Sequence, residues 1–181
     1  HAAYFGVGAY AAALLMKHLG APMEVGLLAA PLAAGLAGFA VGFFIVKLEG
    51  VYLAMLTLAF AQIVEQVIIR WEHVTRGFQG MAVPPPDILG QPLTQGWQLY
   101  YLCLAVLALV VLGAVNLVRS PTGRALVAIR DSEISAQSMG IQLARFKTLS
   151  FAISAALAGV GGALYAHKLK FISPDQFGVL Q

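Results

Sequence analysis

Three stretches of this chain, 25–46, 98–118 and 148–166, contain no Asp, Glu, Lys or Arg. A helix rises about 1.5 Å per residue, so about 20 apolar residues cross a hydrocarbon core roughly 30 Å thick. Each stretch meets that length. Inside lipid only helices and closed barrels satisfy the backbone, and these continuous apolar runs lack the alternation that a barrel strand needs. Composition agrees: 60% of residues are hydrophobic and 10% charged, where a soluble domain carries roughly 25% charged residues. The fold class that follows is all-α, a polytopic transmembrane helix bundle.

Two weaker segments join the three, for about five in all. The first, 2–16, is closed by Lys17 and His18. It is short for a full span, which suits a half-helix or the visible end of a cut one. Gly20, Ala21 and Pro22 then turn the chain into 25–46, and Lys47, Leu48, Glu49 and Gly50 make a tight connection to 51–69. The loop that follows, 72–97 with its bracketing tryptophan, holds Gly77, Gly80 and the run Pro84, Pro85, Pro86, which forbids a regular helix there. Trp71 and Trp97 flank it as an aromatic belt flanks a membrane interface. The chain opens on His1 and stops at Gln181 within apolar sequence, which reads as a fragment, 1–181, of one larger membrane domain. Cys103, the single cysteine, lies in an apolar run and has no partner for an internal disulfide.

Orientation comes from the basic residues. Arg119, Arg124, Arg130, Arg145 and Lys147 make 119–147 the densest basic cluster. Arg70 and Arg76 stand only at the start of the preceding loop. The positive-inside rule therefore places 119–147 in the cytoplasm and the loop at 72–97 on the periplasmic side. Lys168 and Lys170 weigh against this placement but are outnumbered. The net charge of +3 is explained by these loops without nucleic acid.

Small residues recur every fourth position in two segments: Ala30, Ala34, Gly38 and Gly42 in one, Ser150, Ser154, Ala158, Gly162 and Ala166 in the other. Lipid offers helices no hydrophobic reason to associate, so close backbone approach must supply dispersion contacts. These faces predict helix–helix contacts, with a smooth-walled substrate path as the alternative. Gln62, Glu65 and Gln66 share one face of the third segment. A carboxylate within a span faces protein, water or a partner, so the three either line a translocation path or leave Glu65 to snorkel outward or pair with Arg70. Tyr4, Gly6, Gly8 and Tyr10 open the first segment. The two glycines suit either a broken helix whose free N–H groups face a substrate carboxylate, or ordinary tight packing.

The polar stretch 119–147 is the most structured part outside the membrane. Residues 122–130 read as one short helix; Asp131 or Ser132 caps a second, with Glu133 in its first turn and Gly140 at its stop. An interfacial helix would need a strong apolar face, which Ser132, Ser135, Gln137 and Ser138 dilute. A rigid knob that docks a protein fits better. Nothing else suggests catalysis. Gly159, Gly161 and Gly162 follow no strand, no P-loop is present, and His1, His18, His73 and His167 lack metal-ligand spacing. No cofactor, metal or ATP-hydrolysing site is expected in this chain.

Four motifs, HAAYFGVGAY at 1–10, GVYLAMLTLAF at 50–60, GRALVAIRDSE at 123–133 and SAALAGVGGA at 154–163, together resemble the branched-chain amino-acid permeases of ABC importers, in particular the LivM-like subunit. The resemblance implies a multi-pass subunit of the bacterial inner membrane. Its implied partners are a second permease, ABC ATP-binding subunits, a periplasmic substrate-binding protein and a small-molecule substrate, branched-chain or related small amino acids, with urea and other small amides and acids left open. Importer permeases dock their ATPase through a Glu-Ala-Ala…Gly signature. Here Glu133, Ala136 and Gly140 occupy comparable places, with Ile134 and Ser135 in place of the two alanines and the spacing one residue long. The implied docking surface comprises Arg124, Arg130, Asp131, Glu133, Ala136 and Gly140. An ion-coupled secondary transporter and a non-transporting membrane scaffold are the rivals, and the capped knob is the feature against both.

Overall fold

The structure is a computed structural model that describes residues 1–45, 51–85, 87, 88, 91, 92, 96–173 and 176. The expected connection through Lys47, Leu48, Glu49 and Gly50 lies outside the described residues, as does Pro86. The apolar runs are helices: α1 (Ala2–Leu19), α2 (Met23–Ile45), α3 (Val51–Arg70), α5 (Gly96–Arg119) and α8 (Leu143–Leu169), with a one-turn α4 (Glu72–Thr75) after α3. Four of them, α2, α3, α5 and α8, are long and apolar enough to cross a membrane. The chain is thus a multi-pass, all-α membrane protein.

The expected first segment, 2–16, is α1 and runs on to Leu19. The 18 residues of α1 would measure about 27 Å, but Lys17 and His18 occupy its last turn and lower its apolar length. The helix runs unbroken through Gly6 and Gly8, so their N–H groups are committed to the helix and the broken-helix alternative is not what forms.

The core is the triple contact of α1, α2 and α8. The small-residue row of α2 is buried throughout, at Ala30, Ala34, Gly38 and Gly42. A Cβ placed on Gly42 would stand 3.0 Å from Thr148 Cα, and one on Gly38 would overlap Ala155. On α8 the buried row is Thr148, Ala155, Gly159, Gly162, Ala163 and Ala166, while Ser150, Ser154 and Ala158 of the predicted row are only half-buried. The shift has a geometric cause. Residues four apart on a helix of 3.6 per turn drift about 40° at each step, whereas contact with a neighbour follows alternating steps of three and four. Gly162 meets the backbone of Phe5, and Gly8 the backbone of Gly159; α8 therefore offers small residues to two neighbours at once.

One end of the bundle is closed by a feature the sequence did not suggest. Gly80, at φ 69°, lets β1 (Met81–Ala82) lie antiparallel to β4 (Phe171–Ile172), with Met81 opposite Ile172 and Ala82 opposite Phe171. The Val83 N–H donates to Lys170 O at 3.0 Å. Met81, Val83 and Ile172 then pack on Ala9, Tyr10, Ala13, Ile68 and Ala166. The start of α2 lies at the same end, because the Met23 N–H donates to the carboxylate of Asp87 in β2 (Asp87–Ile88), which pairs with β3 (Gln91–Pro92). The described residues around the prolines, 81–85, 87, 88, 91 and 92, hold short strands and no helix, as Pro requires. His167, fully buried, sits between Ala163 O and Met16 Sδ and joins α8 to the end of α1. The opposite end carries α6 (Pro121–Asp131) and α7 (Glu133–Ser138).

Candidate functional site

Two regions hold the predicted site residues, one within the bundle and one at the end that carries α6 and α7. In the bundle, α3 leans on α1 through one face. Phe60 stacks on Tyr4 with ring centroids 5.4 Å apart, and Val64 and Ile68 pack around Tyr10. Steps of four place these three α3 residues on one side, which sends Gln62, Gln66 and Arg70 to the other. There Gln62, Ile63, Gln66, Val67, Arg70 and Trp71 line an open groove of about 570 Å³.

The structure therefore does not gather the predicted path residues into one lining. Tyr4, Gly6, Gly8 and Tyr10 are buried among α1, α2, α3 and α8, while Gln62 and Gln66 are exposed and Glu65 is half-buried. The Tyr4 hydroxyl has no hydrogen-bond partner among the described residues. Glu65 and Arg70 do not meet as an ion pair, so the pairing alternative is not realised.

At the other end the polar stretch folds locally as its capping residues dictate. Ser120 caps α6, its Oγ accepting from the Gly123 N–H at 3.2 Å, with Pro121 in the first turn. Gly123 packs so closely on the carbonyls of Leu117 and Val118 that no Cβ fits. Of the two cap candidates for α7, Ser132 is the one used; its Oγ accepts from the Ser135 N–H at 3.2 Å. Asp131 instead ends α6, in an exposed 3.2 Å ion pair with Arg130. Gly140, at φ 84°, closes α7. Its N–H donates to Gln137 O at 3.0 Å, and the Ile141 N–H donates to Ala136 O at 3.1 Å. That pair of bonds is a Schellman stop, and the left-handed residue it needs is glycine.

The two faces of α7 differ. Ala136 is buried (1% exposed), and Glu133 reaches Lys147 at the start of α8, Nζ to Oε2, at 2.7 Å. Ile134 and Met139 are 84% and 73% exposed. Arg124, Arg130 and Asp131 are exposed on α6. The signature comparison marked Glu133, Ala136 and Gly140, but it missed the apolar pair that faces outward and the lysine that holds Glu133. The exposure of Ile134 follows from helix phase once the cap is placed. The Lys147 contact spans 14 residues and leaves no local signal. No group of three or more His, Cys, Asp or Glu able to hold a metal ion occurs among the described residues.

The whole chain, residues 1–181, matches the family described as branched-chain amino acid transport system / permease component. It is 35% identical to the high-affinity branched-chain amino acid transport system permease protein LivM of Escherichia coli strain K12, over 96% of this chain and 47% of that protein. Identity to the probable branched-chain amino acid transport permease protein LivM of Methanocaldococcus jannaschii is 27%, over 90% of this chain and 51% of the relative. A shorter match, 36% identical over 41% of this chain and 22% of the relative, is to the autoinducer 2 import system permease protein LsrC of an Enterobacter strain. The chain spans about half the length of the LivM relatives it matches. No solved structure matches it significantly.

Proposed function

The chain belongs to the branched-chain amino-acid transport permease family, and on that premise we propose that it is the membrane-spanning part of an ATP-driven importer of branched-chain amino acids in the bacterial inner membrane. The observation that carries this reading is the knob of α6 and α7. Two capped helices stand between two spans at the most basic part of the chain, with Ile134 and Met139 bare on the outer side. The chain has no P-loop of its own, so ATP-driven transport would use an external motor, and a rigid cytoplasmic handle is what a motor can move. ATP-binding subunits are the proposed occupants of that handle, with Arg124, Arg130 and Asp131 at the rim. A second permease and a periplasmic binding protein complete the proposed assembly.

The substrate class rests on coverage. The LivM relatives named for branched-chain amino acids match at least 90% of this chain, the autoinducer 2 relative 41%. For the path, the outer face of α3 is preferred over α1. Gln62, Gln66 and Arg70 are polar groups within or beside a span, and polar groups there are retained where water or protein meets them. Gly6 and Gly8 are assigned to packing instead.

Two measurements test the reading. Complexes purified from native membrane should contain ATP-binding subunits and, reconstituted in vesicles, take up leucine, isoleucine or valine only with ATP. Uptake driven by an ion gradient alone would identify a secondary transporter, and a complex with no solute-dependent ATP hydrolysis a scaffold. Cysteines introduced as Ser132→Cys and Ser138→Cys should react with a membrane-impermeant maleimide only after cells are opened. Labelling of intact cells would invert the topology and end the importer reading.

A further inference from the structure

The contact between Glu133 and Lys147 has a mechanical role that the docking signature does not contain. A six-residue helix such as α7 is about 9 Å long and is joined to α8 through residues 139–142 alone. Its other end continues through Ser132 into α6, so without a tie to α8 it would follow α6 and swing about the Gly140 turn relative to α8 whenever its outer face was pushed. Glu133 is the first residue of α7, at the end away from the turn, and Lys147 stands in the opening turns of α8. Their 2.7 Å pair closes a triangle. Its sides are α7, the start of α8 and the ion pair, around a hollow of about 640 Å³ lined also by Gln137, Ile141 and Arg145. A body held at two points moves as one piece.

The environment favours the pair. The side chains are 23% exposed at Lys147 and 41% at Glu133, so solvent screens the attraction less than for the Arg130–Asp131 pair, at 78% and 64%. Beyond Lys147, α8 runs directly into Thr148, Ala155, Gly159 and Gly162, the residues that touch α2 and α1. A displacement given to α8 at Lys147 therefore reaches both core neighbours through close-packed backbone, which has little slack to absorb it.

We propose that Glu133 and Lys147 form an ionic brace that makes α7 and α8 one lever, so that Glu133 acts as a positioning residue within its own chain and not as a contact to the ATP-binding subunit. This rests on the importer reading above. It separates the roles in α7: Ile134 and Met139 meet the motor, and Glu133 passes the movement on.

The test is a charge-reversal set in the full-length protein, assembled with its partner subunits and reconstituted in vesicles. Three quantities are read: co-purification of the ATP-binding subunits, ATP hydrolysis, and solute taken up per ATP hydrolysed. Glu133→Lys and Lys147→Glu should each keep the complex together and hydrolysing, but lower uptake per ATP on the order of fivefold or more. The reversed double variant should return uptake per ATP to within about twofold of the parent, the coupling that a double-mutant cycle isolates. Lys147→Arg should behave as the parent.

Loss of the ATP-binding subunits in Glu133→Lys with no rescue by Lys147→Glu would overturn the brace and place Glu133 at the subunit interface. Parental uptake per ATP in both single variants would also overturn it. Failure of the importer reading looks different, since the unaltered chain would then recruit no ATP-binding subunit.

Discussion

Gly159→Leu is expected to prevent the α1–α2–α8 core from assembling and to give a large stability loss. A Cβ at this position would lie 2.6 Å from Ala34 Cβ and 2.8 Å from Ala30 O, both on α2. On the other side, Gly8 of α1 rests on the Gly159 backbone itself. A leucine side chain has nowhere to turn, so α8 must separate from its neighbours. Separation forfeits the dispersion contacts that hold helices together in lipid. The cost is put at about 3 kcal/mol, the upper part of the range for overpacked cores. Thermal unfolding in detergent reads it out, with Gly113→Leu on α5 as control, because nothing lies within 4 Å of that glycine. A Gly159→Leu protein that melts with the parent would refute the packing described for α8.

The second large effect is expected from Gly140→Pro, and it should appear in coupling and not in folding. Gly140 sits at φ 84°, while proline is locked near −65°, so the turn between α7 and α8 cannot form as it stands. The N–H that donates to Gln137 O is removed as well. The spans lie outside this turn and keep their contacts, so membrane yield should match the parent. Uptake per ATP in the reconstituted complex should fall about tenfold or more, within the usual range of coupling free energies. Gly140→Ala, which keeps the N–H but strains the left-handed backbone, should fall between. Parental coupling in Gly140→Pro would show that the position of α7 does not matter to transport.

Both predictions draw on features with different visibility in the chain. Span positions are legible because a missing charge is a local property, and four helix boundaries lie within a few residues of the charge-free runs. The ends of α7 are legible for the same reason, since Ser132 and Gly140 act on backbone groups within their own turn. The α2 stripe was legible because all four of its small residues meet α8, even though Ala30 and Ala34 also pack against α1. The α8 stripe was not, because two helices share that surface and the contact winds between them. Helix α5 is apolar on every side and has no buried residue among those described. Its periodicity therefore says nothing about where it sits. The strand pairing of 81–82 with 171–172 and the pairing of Glu133 with Lys147 join distant segments. Neither leaves a trace in local pattern. The site divides likewise: the knob was readable, but the grouping of Tyr4, Gly6, Gly8 and Tyr10 with Gln62, Glu65 and Gln66 was not, since only the fold shows that α3 turns its amides away from α1.

The short ladder at 81–82 and 171–172, the bond from Met23 to Asp87 and the His167–Met16 contact all lie at one end of the bundle. Tweezers welded at the heel can spread only at the tips. Under the importer reading proposed above, relative movement of the helices is therefore expected to be least at this stitched end and to widen toward the end that carries α6 and α7.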